Sequence, residues 1–70
     1  MNGDGFKERV KTQRQLHNLT QQSLAEKIGV SHSYIQQMEY GTKKNPSGEV
    51  LIELSKTFGV TTDYLLGLEE

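Results

Sequence analysis

The sequence predicts an all-α domain: five short helices and no sheet. Three observations carry that prediction. Apolar residues recur at helical spacing, and nowhere do they alternate with period two for long enough to make a strand. Serine or threonine stands just ahead of most of these stretches and glycine just behind, as helix starts and stops require. The chain has 70 residues, 33% of them hydrophobic, and no cysteine. One small core shared by amphipathic helices must therefore hold it, without disulfides or thiolate-bound metal.

The first five residues contain two glycines and no apolar run, and read as a disordered lead. Phe6, Val10 and His17 then share one helical face, with Gln13 and Arg14 beside them and Leu16 off to one side. Asn18 ends this helix and Leu19 anchors the connection that follows. Thr20 is the N-cap of a second helix, its hydroxyl placed to accept a free backbone N–H. Leu24, Ala25 and Ile28 form the inner face there, and Gly29 stops the helix in a left-handed conformation that a side chain would penalise. Ser31 caps a third helix with Ile35 and Met38 inside, ending near Tyr40 and Gly41. A polar loop, residues 42–46, leads to Ser47, which caps a fourth helix whose buried face is Val50 or Leu51, then Leu54 and Phe58. After Gly59, Thr61 caps a last short helix carrying Tyr64, Leu65 and Leu68.

No apolar run approaches a transmembrane span, and the N-terminus has neither the basic start nor the apolar stretch of a signal peptide. A cytoplasmic location is the expectation. The formal net charge is only −1, but it is unevenly spread. Phe6 to Lys44 carries +4, whereas Asn45 to Glu70 carries −4. A basic front half suits a polyanion, although many soluble domains show a comparable split.

The informative element is the helix pair from Thr20 to Tyr40. A small side chain at Ala25 lets two helices approach, Gly29 permits the reversal, and Ile35 locks the second helix on the first. Such a unit holds one helix outward as a rigid probe. Spacing alone leaves two readings open, a DNA-binding helix-turn-helix or an ordinary helical hairpin in a bundle.

The residues themselves go further. Leu19-Thr20-Gln21, Leu24-Ala25-Glu26-Lys27, Ile28-Gly29-Val30-Ser31, Ile35, Glu39, Gly41, Asn45-Pro46-Ser47 and Phe58-Gly59-Val60 resemble the lambda-repressor and Cro-like helix-turn-helix family, over about Phe6 to Gly67. The resemblance implies a compact five-helix DNA-binding domain at residues 6–67, with the helix-turn-helix unit at about 20–40. Residues 68–70 are then a tail or a domain boundary. It also implies a transcriptional regulator, most simply a repressor that binds a palindromic double-stranded DNA operator as a dimer, its third helix in the major groove.

On that third helix, Ile35 and Met38 point inward, so Ser33, Gln36, Gln37 and Tyr40 face outward and His32 sits on the first turn. Without the resemblance these are simply solvated polar residues. With it, His32, Ser33, Gln36 and Gln37 are expected to read bases, because amide, hydroxyl and imidazole groups complement base edges. Phosphate contacts are expected from Gln21 and Gln22 at the start of the second helix, Lys43, Lys44 and Asn45 in the following loop, Tyr40, and Lys11 on the first helix. Gln21 has a second role in the family, bracing the recognition helix. Members of the family also carry a partly buried Arg–Glu pair at positions matching Arg14 and Glu39. Two residues depart from the family pattern: Gln13 replaces a usual leucine, and Gly48 a larger apolar residue, which should weaken the local core and the helix start.

A dimer contact is expected through Val60, Thr62 and Tyr64, because Tyr64 is a large aromatic near the chain end where the core has little room for it. The competing reading makes Tyr64 a lid on the monomer's own core. A protein-interaction module, as in antitoxin-type regulators acting through a protein partner, is the alternative function, and the acidic back half suits it. An enzyme is not expected. The two histidines lie on different helices, and neither a nucleophile–base set nor a glycine-rich phosphate loop is evident. No metal or other cofactor is expected.

Overall fold

The computed structural model describes residues 5–41 and 46–68. Among these the chain forms α1 (Phe6–Leu16), α2 (Gln21–Ile28), α3 (His32–Tyr40), α4 (Gly48–Phe58) and α5 (Thr62–Leu66). The expected all-α fold class is the one observed. The predicted loop residues Thr42, Lys43, Lys44 and Asn45 lie outside the described residues, as do most of the N-terminal lead and the last two residues.

Local chemistry sets each boundary. Thr20, Ser31, Ser47 and Thr61 each cap a helix by accepting a hydrogen bond from the backbone N–H three residues on. At α2 the cap is reciprocal, since the Ser23 hydroxyl in turn accepts from the Thr20 N–H at 2.8 Å. Asn18 takes the left-handed conformation (φ 58°) that turns the chain after α1. Gly29 does the same after α2 at φ 80°, and the space beside it is open, so only the backbone requires glycine there.

Ten apolar side chains make the core: Val10 from α1, Leu24, Ala25 and Ile28 from α2, Ile35 and Met38 from α3, Val50, Leu54 and Phe58 from α4, and Leu65 from α5. Phe6, Leu19, Val30, Tyr34, Leu51, Val60 and Tyr64 close it from the sides. Helix α1 packs on α3, α4 and α5, while α2 packs on α3 and α4. Thus α3 lies across α1 and α2, one face inward and the other in solvent.

Two expectations need correction, those for His17 and Leu68, and the two departures from the family pattern, Gly48 and Gln13, take definite settings. His17 is not on an inner face: it is the exposed C-cap of α1, its ring 5.4 Å from that of Phe58. Leu68 is 72% exposed, because α5 has ended and only its N–H is used, bonding the Asp63 carbonyl at 2.8 Å. Gly48 leaves no gap in the core, since a Cβ there would meet nothing within 4 Å. Gln13 is half-buried and donates to the Tyr64 hydroxyl at 3.3 Å, joining α1 to α5 by a polar contact.

Candidate nucleic-acid interface

The outward face of α3 follows from its inward one. Burying Ile35 and Met38 turns Ser33, Gln36, Gln37 and Tyr40 into solvent, and Tyr40 is 84% exposed. Gln37 lies over Ser33, one turn back, with its amide nitrogen 3.4 Å from the hydroxyl. These four line a shallow depression of about 620 Å³ together with Lys11, Arg14, Gln21 and Glu39. One surface therefore gathers residues from α1, α2 and α3 that are far apart in sequence. Gln22 is not among the lining residues. It is exposed on α2 and donates to Glu26 at 3.1 Å.

The floor of this surface is an ion pair. Arg14 meets both carboxylate oxygens of Glu39, Nε to Oε2 at 2.6 Å and a terminal nitrogen to Oε1 at 3.0 Å, with side-chain exposures of 12% and 5%. The other terminal nitrogen of Arg14 donates to the Leu19 carbonyl at 2.9 Å. A planar guanidinium thus fixes α1, the α1–α2 connection and α3 together, in the two-pronged geometry that makes such pairs strong and directional. Gln21 extends the arrangement, donating its amide N–H to Glu39 Oε1 at 3.1 Å. Its amide oxygen lies 3.2 Å from Nε2 of His32, which is half-buried at the start of α3. The bracing role of Gln21 is therefore visible as hydrogen bonds.

Lys11 is exposed on α1 at the edge of the depression. Lys7 on the same helix runs past the end of α3, its aliphatic stem 3.1 Å from where a Cβ of Gly41 would sit. A side chain at that glycine would crowd the stem. Lys43, Lys44 and Asn45 lie outside the described residues.

Val60, Thr62 and Tyr64 are all half-buried near the start of α5. Tyr64 is held by its own chain: the Arg9 guanidinium stacks 4.7 Å from its ring centre and donates to its carbonyl at 3.1 Å, and Gln13 donates to its hydroxyl. The ring packs against the core's edge and stays half-buried there, outside the ten core side chains.

Among the described residues no group of three or more His, Asp or Glu is placed to hold a metal ion, and no helix is long and apolar enough to cross a membrane.

A two-helix unit with a glycine reversal, presenting a polar helix face over a braced floor, has known counterparts. Residues 10–65 match the family model described as helix-turn-helix. The chain belongs to the helix-turn-helix family. This helix-turn-helix chain is 41% identical over 65 residues to an uncharacterised HTH-type transcriptional regulator of Methanocaldococcus jannaschii, covering 93% of itself and 97% of that relative. It is 38% identical over 63 residues to another uncharacterised HTH-type regulator, YobD of Bacillus subtilis, covering 90% of itself but only 55% of YobD. Among solved structures it is similar to the P22 c2 repressor in complex with a synthetic operator: 34% identical, TM-score 0.85, with 93% of this chain and 97% of that one covered. These relatives are regulators by name, not enzymes.

Proposed function

We propose that this helix-turn-helix protein is a sequence-specific DNA-binding transcriptional regulator, acting as a repressor, and that α3 enters the major groove of its operator. The observation that carries the reading is the partition of α3. Its buried residues lock it to α1 and α2, while its outward face offers hydroxyl and amide groups of the kind that discriminate base edges. Ser33, Gln36, Gln37 and His32 are the proposed base readers. Gln21, Gln22, Lys11, Tyr40, Lys43, Lys44 and Asn45 are the proposed backbone contacts, which position without carrying sequence information. The fold of the P22 c2 repressor, seen on an operator, supports the same docking.

We further propose that two copies bind a palindromic operator in the cytoplasm, because one short helix spans a small half-site. Two such helices placed about 34 Å apart would reach successive major grooves. Val60, Thr62 and Tyr64 are the proposed contact. The Arg9 and Gln13 tethers hold the Tyr64 ring in a fixed orientation, which suits an anchor that must not reorganise on pairing. The test is selection of bound duplexes from a random library, followed by stoichiometry on the enriched site for wild type and Tyr64→Ala. A symmetric site bound cooperatively by two copies, with cooperativity lost in the variant, is the expected result. A single asymmetric site would overturn the dimer. Unaltered cooperativity in the variant would move the contact off α5, and no enrichment would overturn sequence-specific binding.

A further inference from the structure

Helix α3 ends with its partial negative charge unanswered by its own sequence. Arg14, Lys27 and Lys56 stand in the last turns of α1, α2 and α4, but the last turn of α3 has no basic residue. The terminal carbonyls make the C-terminal end of a helix partly negative, so a polyanion brought near it is repelled. A cation reaches that end from another helix. Lys7 is exposed near the start of α1 and crosses Gly41, the C-cap of α3, with Cδ 3.1 Å and Nζ 3.3 Å from where a Cβ would stand. Gly41 has φ 93°, so the absent side chain suits the backbone and leaves room for the lysine at once.

Lys7, Lys11 and Arg14 recur at helical spacing along one flank of α1. Glu39 pairs with Arg14, whereas no carboxylate among the described residues pairs with Lys7 or Lys11. Lys11 lines the depression beside α3 together with Tyr40. Lys7 lies one turn further along α1, where Tyr40 gives way to Gly41.

We propose that Lys7 is a DNA-phosphate contact held in place across the end of α3, and that it reverses the sign which that end turns toward the DNA backbone. The proposal rests on the DNA-reading role of α3 and adds to it a contact supplied by neither α3 nor the loop that follows. A helix lying in the major groove has a phosphate strand along each wall, and a negative helix end beside one needs a cation between them. The contact of the Lys7 stem with Gly41 restricts the side chain before DNA arrives, so less of its freedom is lost on binding. Phosphates carry no sequence information, so Lys7 positions α3 without choosing bases.

Lys7→Met keeps most of the stem and removes the charge, while Lys7→Arg keeps the charge. The test measures affinity for the enriched duplex over a salt series, and repeats duplex selection, with wild type and both variants. One neutralised phosphate contributes about 0.9 to the slope of log K against log salt. Between about 50 and 200 mM salt, wild-type affinity should therefore fall about 3.5-fold further than that of Lys7→Met. Lys7→Arg should retain the wild-type slope, and all three proteins should select the same sequence. A Lys7→Met slope equal to wild type overturns the contact, even where affinity drops. A slope lost in Lys7→Arg as well overturns it, because shape and not charge is then at work. A changed base preference overturns it too, since Lys7 would then read a base. Should wild type bind all duplexes alike, the base-reading role of α3 fails, and the slopes on any duplex still decide Lys7. Should wild type bind no duplex, both fall together.

Discussion

Arg14 ties α1 to α3 and to the α1–α2 connection, since one guanidinium bonds Glu39 twice and the Leu19 carbonyl once. Removing either partner leaves the other charge in a poorly solvated site. Arg14→Ala and Glu39→Ala should each cost about 3 kcal/mol, the low end for a broken buried pair because Gln21 and the Leu19 carbonyl remain as partial partners. The double variant should be no less stable than the worse single one. Urea titrations of all four proteins check this, and strictly additive losses would mean that the pair is not coupled. At the proposed DNA-facing surface, Gln37→Ala should relax base preference at one position of each half-site by about 1–3 kcal/mol, as removal of a bidentate side chain–base pair does. The readout is the enriched sequence, and an unchanged preference at every position removes Gln37 from the base readers.

The five helices differ in how they are held, and this decides how much of each was legible in the sequence. Helices α2 to α5 announce themselves through a hydroxyl cap and a terminal glycine, both local signals that the backbone uses directly. Helix α1 has Gly5 at its start with no side-chain cap and only Val10 fully buried, so its inner stripe is easy to over-extend to His17. Long-range polar contacts leave no such trace: no periodicity joins Gln13 to Tyr64, or Gln21 to Glu39, and only the family pattern points to Arg14 and Glu39. The outward set of α3 can be read once Ile35 and Met38 are placed, because the helical repeat fixes the rest. Gly48 carries the element-scale prediction. It begins α4 in an exposed position, outside the positive-φ set, with open space where a Cβ would stand. Gly48→Ala should stabilise the domain by about 0.4–1 kcal/mol by restricting the unfolded chain. A lowered melting temperature would show a constraint at that position which the geometry does not contain.

As a whole, the molecule has a Cα radius of gyration of 10.8 Å, and its charge is divided between a basic front half and an acidic back half. The basic half contains α3 and its surroundings, so the electrostatic part of DNA binding should come from a few lysines despite a net charge of −1. Neutralising Lys43 and Lys44 together should weaken binding to all duplexes nearly alike, and should flatten log K against log salt by about 0.9 for each phosphate no longer neutralised. Affinities measured over a salt series check this; a slope equal to wild type would take both lysines out of the interface. Finally, the two-sided character of α3 has a consequence for descent. Ile35, Met38 and Glu39 answer to the interior, whereas Ser33, Gln36 and Gln37 stand on the solvent side of the same helix, outside the core. On the proposed reading, selection for a sound fold falls mainly on the inward letters of this nine-residue word and selection for a new operator mainly on the outward ones. If those outward letters are the base readers proposed above, a duplicated copy drifts to a different operator through them while its folding stays intact.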